Sequence, residues 1–173
     1  MRYAQIRECD ISDGEGVGVA LFVQGCHFHC KNCFNKETWN FDGGKQWTPE
    51  VKEQFLQLAD KPYIKRISIL GGEPLADENL NDVLDLVITI KNKFPLKSIW
   101  LYSGYSYENC VYQSESNKNI LRREILKYID VMIDGQYIDS KRDINLKWRG
   151  SSNQRVIDMK KSLQCNEIVL YCD

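Results

Sequence analysis

Long apolar runs are missing from this 173-residue chain. No stretch approaches the roughly 20 residues that a bilayer-spanning helix needs. The N-terminal Met1-Arg2-Tyr3-Ala4-Gln5 also lacks the apolar core of a secretion signal. These absences place the expected site of action in the cytoplasm, with no membrane partner. A surplus of charge is missing too. The 23 basic and 24 acidic residues leave a net charge of −1, which gives no general attraction to nucleic acid or to an anionic membrane. Any nucleotide that the protein handles is therefore expected in a specific site. Internal repeats, low-complexity segments and an interdomain linker are absent, so residues 1–173 read as one domain. That length falls short of the roughly 250 residues of a complete eightfold βα barrel. With 43% hydrophobic and 27% charged residues, the composition is that of an ordinary folded chain rather than a disordered one.

Cysteine is present in quantity, with seven in the chain. In a reducing compartment such a count favours metal sites or free thiols over a disulfide scaffold. Three of them fall within Cys26-His27-Phe28-His29-Cys30-Lys31-Asn32-Cys33, a C-x3-C-x2-C spacing suited to metal ligation. A helix would separate the outer two by about 10 Å along its axis, too far for one compact centre. A loop wrapped around the centre is expected instead, and Gly25 permits a sharp entry into it. Three thiolates are one short of the four that close a structural zinc site or a fully ligated iron–sulfur cube. The bound centre is thus expected to keep an open corner. Zinc competes as a reading, because zinc sites pair C-x2-C arms or combine cysteines with histidines, and His27 and His29 lie inside the loop. The spacing demands no residue type at those two positions, and both read as loop or supporting groups. Cys9, Cys110, Cys165 and Cys172 show no ligand spacing and read as small hydrophobes.

The pattern along the chain alternates strand and helix. Asp13-Gly14-Glu15-Gly16 is a turn signal, after which residues 17–24 read as a buried strand that runs into the cysteine loop. Thr48-Pro49 caps a helix with the stripe Val51, Phe55, Leu58 and Ala59, which stops near Lys61-Pro62. Residues 66–70 form a second strand. Asp77 is expected to cap the next helix, with the stripe Leu80, Val83, Leu84, Val87 and Ile88, and with Lys91 and Lys93 near its C-terminus as the helix dipole favours. Strands are expected at 98–102 and 129–134, separated by a polar interval at 106–118 and a helix near 119–128. Residues 135–150 read as a long charged loop, and 155–159 and 167–171 as final strands. Such alternation gives an α/β fold with a mostly parallel sheet and right-handed crossovers.

Parallel βα folds place their sites at the carboxyl ends of the strands. The cysteine loop follows the first predicted strand. Gly71-Gly72-Glu73-Pro74 follows the second, Ser103-Gly104-Tyr105 the third and Asp134-Gly135 the fourth. Four strand ends are therefore expected to converge on one mouth.

These residues carry a family resemblance. The C-x3-C-x2-C loop resembles that of the radical S-adenosylmethionine superfamily, in which three cysteines hold a 4Fe-4S cluster and the substrate binds the fourth iron. The likeness runs through Leu21-Phe22-Val23-Gln24-Gly25-Cys26, Cys33-Phe34-Asn35, Thr38-Trp39-Asn40, Gly71-Gly72-Glu73-Pro74 and Trp148-Arg149-Gly150-Ser151-Ser152-Asn153-Gln154. The last block is similar to the family of activating proteins that serve anaerobic ribonucleoside-triphosphate reductase. The resemblance implies an incomplete, partial βα barrel of the radical S-adenosylmethionine type. It assigns Cys26, Cys30 and Cys33 to the cluster. It assigns Gly71, Gly72 and Glu73 to the amino group of S-adenosylmethionine, where close backbone approach and a carboxylate suit an ammonium ion. Many members carry an aromatic residue directly before the third cysteine, where this chain has Asn32 and places Phe34 on the other side. The segment Asn32-Cys33-Phe34 is implied to border the adenosine.

The implied activity is reductive cleavage of S-adenosylmethionine to methionine and a 5'-deoxyadenosyl radical, which generates a glycyl radical on the catalytic subunit of the reductase. The implied electron donor is a reduced flavodoxin or ferredoxin. No acid or base is required, so no catalytic side chain is assigned. Alternatives are an activase of another glycyl-radical enzyme of the pyruvate formate-lyase type and a non-catalytic zinc-binding interaction module. The 148–154 block reads equally as a docking or closing surface and as plain structure.

Overall fold

The computed structural model describes residues 1–112 and 116–172. Its frame is one seven-stranded sheet in the order β3-β1-β2-β4-β5-β6-β7. The central strands β2 (Gly18–Val23), β4 (Arg66–Gly71), β5 (Ser98–Tyr102) and β6 (Val131–Asp134) pair in parallel. Antiparallel partners complete both sides. On one side β1 (Arg2–Asp10) pairs with β2 and with the short β3 (Lys45–Gln46), and on the other β7 (Arg155–Asp158) pairs with β6. The antiparallel β1, in a region read only as an approach to a turn, corrects the expectation of a parallel sheet beginning at residue 17. Its residues alternate weakly, and most are only half-buried. The continuous run of buried residues that marks β2 is therefore absent from it.

The helices are α1 (Pro49–Asp60), α2 (Leu80–Lys93), α3 (Tyr107–Val111), α4 (Asn117–Leu126) and α5 (Met159–Cys165). The Thr48 hydroxyl accepts the Val51 N–H to cap α1 as expected, with Pro49 at the first helical position. Asp77 does not cap α2, because Asn79 precedes that helix without a side-chain cap bond. Asp77 instead pairs with Arg122 at 2.6 Å and with Lys118 on α4. The buried stripe of α2 is Leu80, Val83, Leu86, Val87 and Ile90, so Leu84 and Ile88 lie at its flank. Part of the polar interval at 106–118 folds as α3, capped by Ser106, while residues 113–115 lie outside the described residues. Residues 167–171 form no strand, only an isolated bridge from Leu170 to Ile157. The chain leaves β7 directly into α5, whose N-terminus Asp158 caps by accepting the Lys161 N–H.

Strand side chains sort by parity, as a period of two requires. Val19, Leu21, Val23, Ile67, Ile69, Ile99, Leu101, Met132 and Ile157 join helix residues such as Phe55, Val83 and Ile125 in the main core. Ala20, Phe22, Leu70, Trp100, Val131, Ile133 and Val156 form two smaller clusters on the other face. One face is thus covered by helices, and the other is left to loops and to a cavity. Arg66, fully buried, crosses under that second face. It donates to the Asp10 carbonyl at 2.9 Å, to Asp10 Oδ1 at 2.8 Å and to the Asp13 carbonyl at 2.7 Å, and these bonds fasten the 10–18 turn to β4. Among the described residues no helix is long and apolar enough to cross a membrane.

Candidate functional site

The parallel strands end at a common mouth. Beyond β2 the chain reverses at Gly25, whose φ is +93°, a region that residues with a Cβ rarely adopt. The Gly25 N–H donates to the Thr38 carbonyl at 2.7 Å and the Cys26 N–H to the Trp39 carbonyl at 3.1 Å, which clips both ends of the loop together. Gln24, buried beneath, donates to the carbonyls of Glu37 at 2.9 Å and Asn40 at 2.8 Å. The result is a wrapped loop rather than a helix, and Cys26, Cys30 and Cys33 all line one open cavity of about 190 Å³.

The donor set is suited to thiolate ligation. Burial pushes the Cys26 thiol up to about 11, opposed by backbone hydrogen bonds from Phe28 and His29. Burial also raises Cys30, followed by the neighbouring Cys33 charge, while the Tyr137 backbone N–H acts in the opposite direction. The Asn35 N–H reaches Cys33 Sγ at 3.4 Å. Thiols that remain protonated in the free loop are deprotonated by the metal they bind, and backbone N–H groups directed at the sulfurs favour and tune the bound form. Among the described residues no three His, Cys, Asp or Glu side chains are drawn together tightly enough for a single metal ion.

The two histidines lie on the outside of the loop. His29 stacks on Trp39 at 4.6 Å, and His27 packs on Phe41 at 4.4 Å with Nε2 3.0 Å from Glu78. Neither lines the cavity. Of the remaining cysteines only Cys110 is fully buried, whereas Cys9 and Cys165 are exposed and Cys172 is half-buried. The reading of all four as small hydrophobes fits Cys110 and Cys172, which packs against the Trp100 cluster, and is corrected at Cys9 and Cys165, which face solvent. An isolated thiol carries no spacing signal from which burial could be inferred.

Beyond β4, Gly71, Gly72 and Glu73 line the same cavity. The Glu73 N–H donates to the Gly25 carbonyl at 2.7 Å, and a Cβ on Gly72 would come within 2.4 Å of that oxygen. The bare backbone at Gly72 therefore serves first to let this turn lie against the cysteine loop. Glu73 is buried, and its Oε1 accepts from the Leu75 N–H and the Ser103 hydroxyl, both at 2.8 Å, while Oε2 accepts from the Gly104 N–H at 2.7 Å. Burial pushes its carboxyl up to about 7 against these three bonds. One lone-pair direction on Oε2 remains for a cationic partner.

Residues to which the sequence reading gave no binding role also line the cavity, among them Ser103 and Gly104 beyond β5, Gly135, Gln136 and Tyr137 beyond β6, and Gly150 and Gln154 from the 148–154 block. Gln154 Nε2 donates to the Gly135 carbonyl at 2.9 Å, and its Oε1 accepts from the N–H of Gly150 at 3.0 Å and of Ser151 at 3.2 Å. Trp148 packs edge-on against Trp100 at 4.8 Å. The block thus buttresses the cavity wall. The available signal was the convergence of strand ends, which identifies a mouth but not which side chains face it. Phe34 reaches the cavity and Asn32 does not. Asn32 sits on the rim with φ +57° and donates to Asp139 Oδ2 at 2.9 Å.

Comparison with known proteins agrees with this geometry. Residues 12–157 match the family model described as a 4Fe-4S single cluster domain. The chain is 38% identical over 156 residues to the anaerobic ribonucleoside-triphosphate reductase-activating protein of Enterobacteria phage T4, covering 90% of this chain and 93% of that one. The protein of the same name from Pasteurella multocida is 39% identical, with 89% and 95% covered. That from Escherichia coli K12 is 36% identical, with 90% and 97% covered.

Proposed function

Because this chain belongs to the family of anaerobic ribonucleoside-triphosphate reductase-activating proteins, we propose that it activates that reductase by generating a glycyl radical on its catalytic subunit. The observation that carries the reading is the meeting of three clustered thiols with a Gly-Gly-Glu turn in one cavity at the parallel strand ends. Cys26, Cys30 and Cys33 are the residues that would hold a 4Fe-4S cluster, three thiolates where full ligation takes four. With the cluster and S-adenosylmethionine bound, the chemistry supplied would be one-electron reductive cleavage of S-adenosylmethionine, by which a glycine of the reductase would lose a hydrogen atom. A reduced flavodoxin or ferredoxin is the electron source.

The chain's own residues bind, orient and enclose. Carbonyls of the Gly71-Gly72 turn and the free lone pair of Glu73 receive the methionine ammonium, while Ser103 and Gly104 hold the carboxylate in place. Phe34 and Tyr137 flank the mouth, where the Asn32-Cys33-Phe34 segment borders the adenosine. The covering of one sheet face by helices, with the site at the strand ends, supports a single domain built as a partial βα barrel. No proton transfer is asked of any side chain.

The test begins with iron and sulfide analysis of anaerobically purified protein, then S-adenosylmethionine cleavage under reduction and spin resonance of the added reductase. Alanine at Cys26, Cys30 or Cys33 is expected to remove the cluster absorbance and cleavage together. Alanine at the exposed Cys9 or Cys165 is expected to leave both intact. A cluster that survives loss of Cys33 would refute the ligand assignment.

A further inference from the structure

Side chains in the cysteine loop alternate in direction. His27 and His29 pack outward on Phe41 and Trp39, and Phe28 between them turns inward to line the cavity with Cys26 and Cys30. Nothing in the C-x3-C-x2-C spacing asks for an aromatic residue at that position. Two consecutive residues beyond β5 are nevertheless fitted to it. Gly104 lies flat against the ring, since a Cβ there would stand 2.5 Å from Phe28 Cδ2 and Cε2. Tyr105 meets the ring edge-on at 5.0 Å, with an interplanar angle of 70°, a preferred geometry for aromatic pairs.

Tyr105 is itself held from several sides. Its N–H donates to Ser103 Oγ at 3.0 Å, and its carbonyl accepts from the Gly135 N–H at 3.2 Å. The Arg122 guanidinium of α4 lies over its ring, 4.5 Å from the centre. Arg122 is buried and anchored elsewhere, donating to the Leu75 carbonyl at 3.0 Å, to Asn119 Oδ1 at 2.9 Å and to Asp77 Oδ1 at 2.6 Å. A line of contacts thus runs from a fixed cation on α4 through Tyr105 to the middle of the cysteine loop. Phe28 and Tyr105 are both half-buried, and together they wall the cavity beside β5. Phe34 reaches the same cavity but is 72% exposed, so Phe28 is the more enclosed of the two rings.

We propose that the Phe28 ring is a solvent shield for the centre held by Cys26, Cys30 and Cys33, and that Tyr105 and Arg122 are positioning residues that act through it. The inference rests on the function proposed above and deepens it, by naming side chains that keep the centre strongly reducing. Water stabilises the negative charge that such a centre gains on reduction, so a centre more open to water is easier to reduce and is a weaker reductant. An apolar ring in the cavity wall acts in the other direction. The ring is separable from the Phe28 backbone N–H that acts on Cys26, because a substitution there keeps the backbone.

The test measures the midpoint potential of the anaerobically reconstituted full chain by spin resonance in a redox titration, and the rate at which air bleaches its visible absorbance. Phe28→Ala is expected to shift the one-electron equilibrium toward the reduced form about tenfold, a rise of about 59 mV, and to bleach faster. Tyr105→Ala is expected to move both readings the same way with Phe28 still present. Tyr105→Phe keeps the ring, loses only the 3.3 Å contact of its hydroxyl with Arg122, and is expected to match the wild type. Should Phe28→Ala take up no iron, Phe28→Leu and Tyr105→Ala carry the comparison. Iron-loaded variants with unchanged or lower potential overturn the shield and leave the ring as loop packing. A Tyr105→Phe variant shifted as far as Tyr105→Ala overturns the positioning through the ring. The two readings fail separately: a wild type whose centre forms but does not cleave S-adenosylmethionine counts against the proposed function, while the potentials still decide the shield. A wild type that forms no iron–sulfur centre overturns both.

Discussion

Glu73 is the residue at which burial and charge are most opposed. Its carboxyl is raised from 4.5 to about 7, chiefly by burial, so between those values the folded chain holds a proton that the unfolded chain has released. Stability from this group is therefore greatest below about pH 4.5 and declines as the pH rises toward 7. The urea midpoint of the cofactor-free protein is expected to show that decline, and Glu73→Gln to flatten it. The variant also has a lower midpoint throughout, because an amide cannot accept from Leu75, Ser103 and Gly104 at once. An ammonium against Oε2 favours the ionised form, so S-adenosylmethionine affinity is expected to rise from about pH 5.5 to about pH 7.5 in the wild type and to change little in Glu73→Gln. A pH slope that survives in the variant would detach the ammonium from Glu73.

At the scale of elements, the 10–18 turn is held to β4 by one buried cation. Arg66 pairs with Asp10 inside the fold and also donates to the Asp13 carbonyl and the Ser68 hydroxyl. Burial opposes the Asp10 charge, yet the Arg66 hydrogen bond and the Asp13 N–H hold its carboxyl below the usual range. Burial and the Asp10 charge push Asp13 up. Arg66→Ala leaves Asp10 buried without its partner and is expected to cost about 3–5 kcal/mol in denaturant unfolding. Asp10→Asn/Arg66→Met removes both charges and is expected to recover much of that loss. A double variant no more stable than Arg66→Ala would place the cost in lost packing.

For the whole molecule, the sheet and the site differ in what secures them. The core joins β2, β4, β5 and β6 to the helices through fully buried side chains. The cysteine loop meets the 135–142 segment through Asn32 to Asp139, Phe34 to Tyr137 and Arg142 over Phe34, most of them near solvent. Removing iron with a chelator is expected to speed amide exchange in residues 26–42 and 135–142 and to leave the central strands protected. Uniform acceleration through β2 and β4 would make the centre a support of the whole fold. The sequence by itself determined the cysteine spacing, the helix start at Thr48-Pro49, the parallel strands and the convergence of their ends, because spacing, capping and continuous apolar runs are local signals. Only the tertiary structure decided that β1 and β7 close the sheet antiparallel, that α2 is rotated from its expected stripe, and that Asp77 faces Arg122. It also placed Glu73 under three donors, turned Asn32 to the rim and set Gln154 against Gly135. Those outcomes depend on partners far away in the chain, and a burial or hydrogen bond made across such a distance leaves no pattern among neighbouring residues.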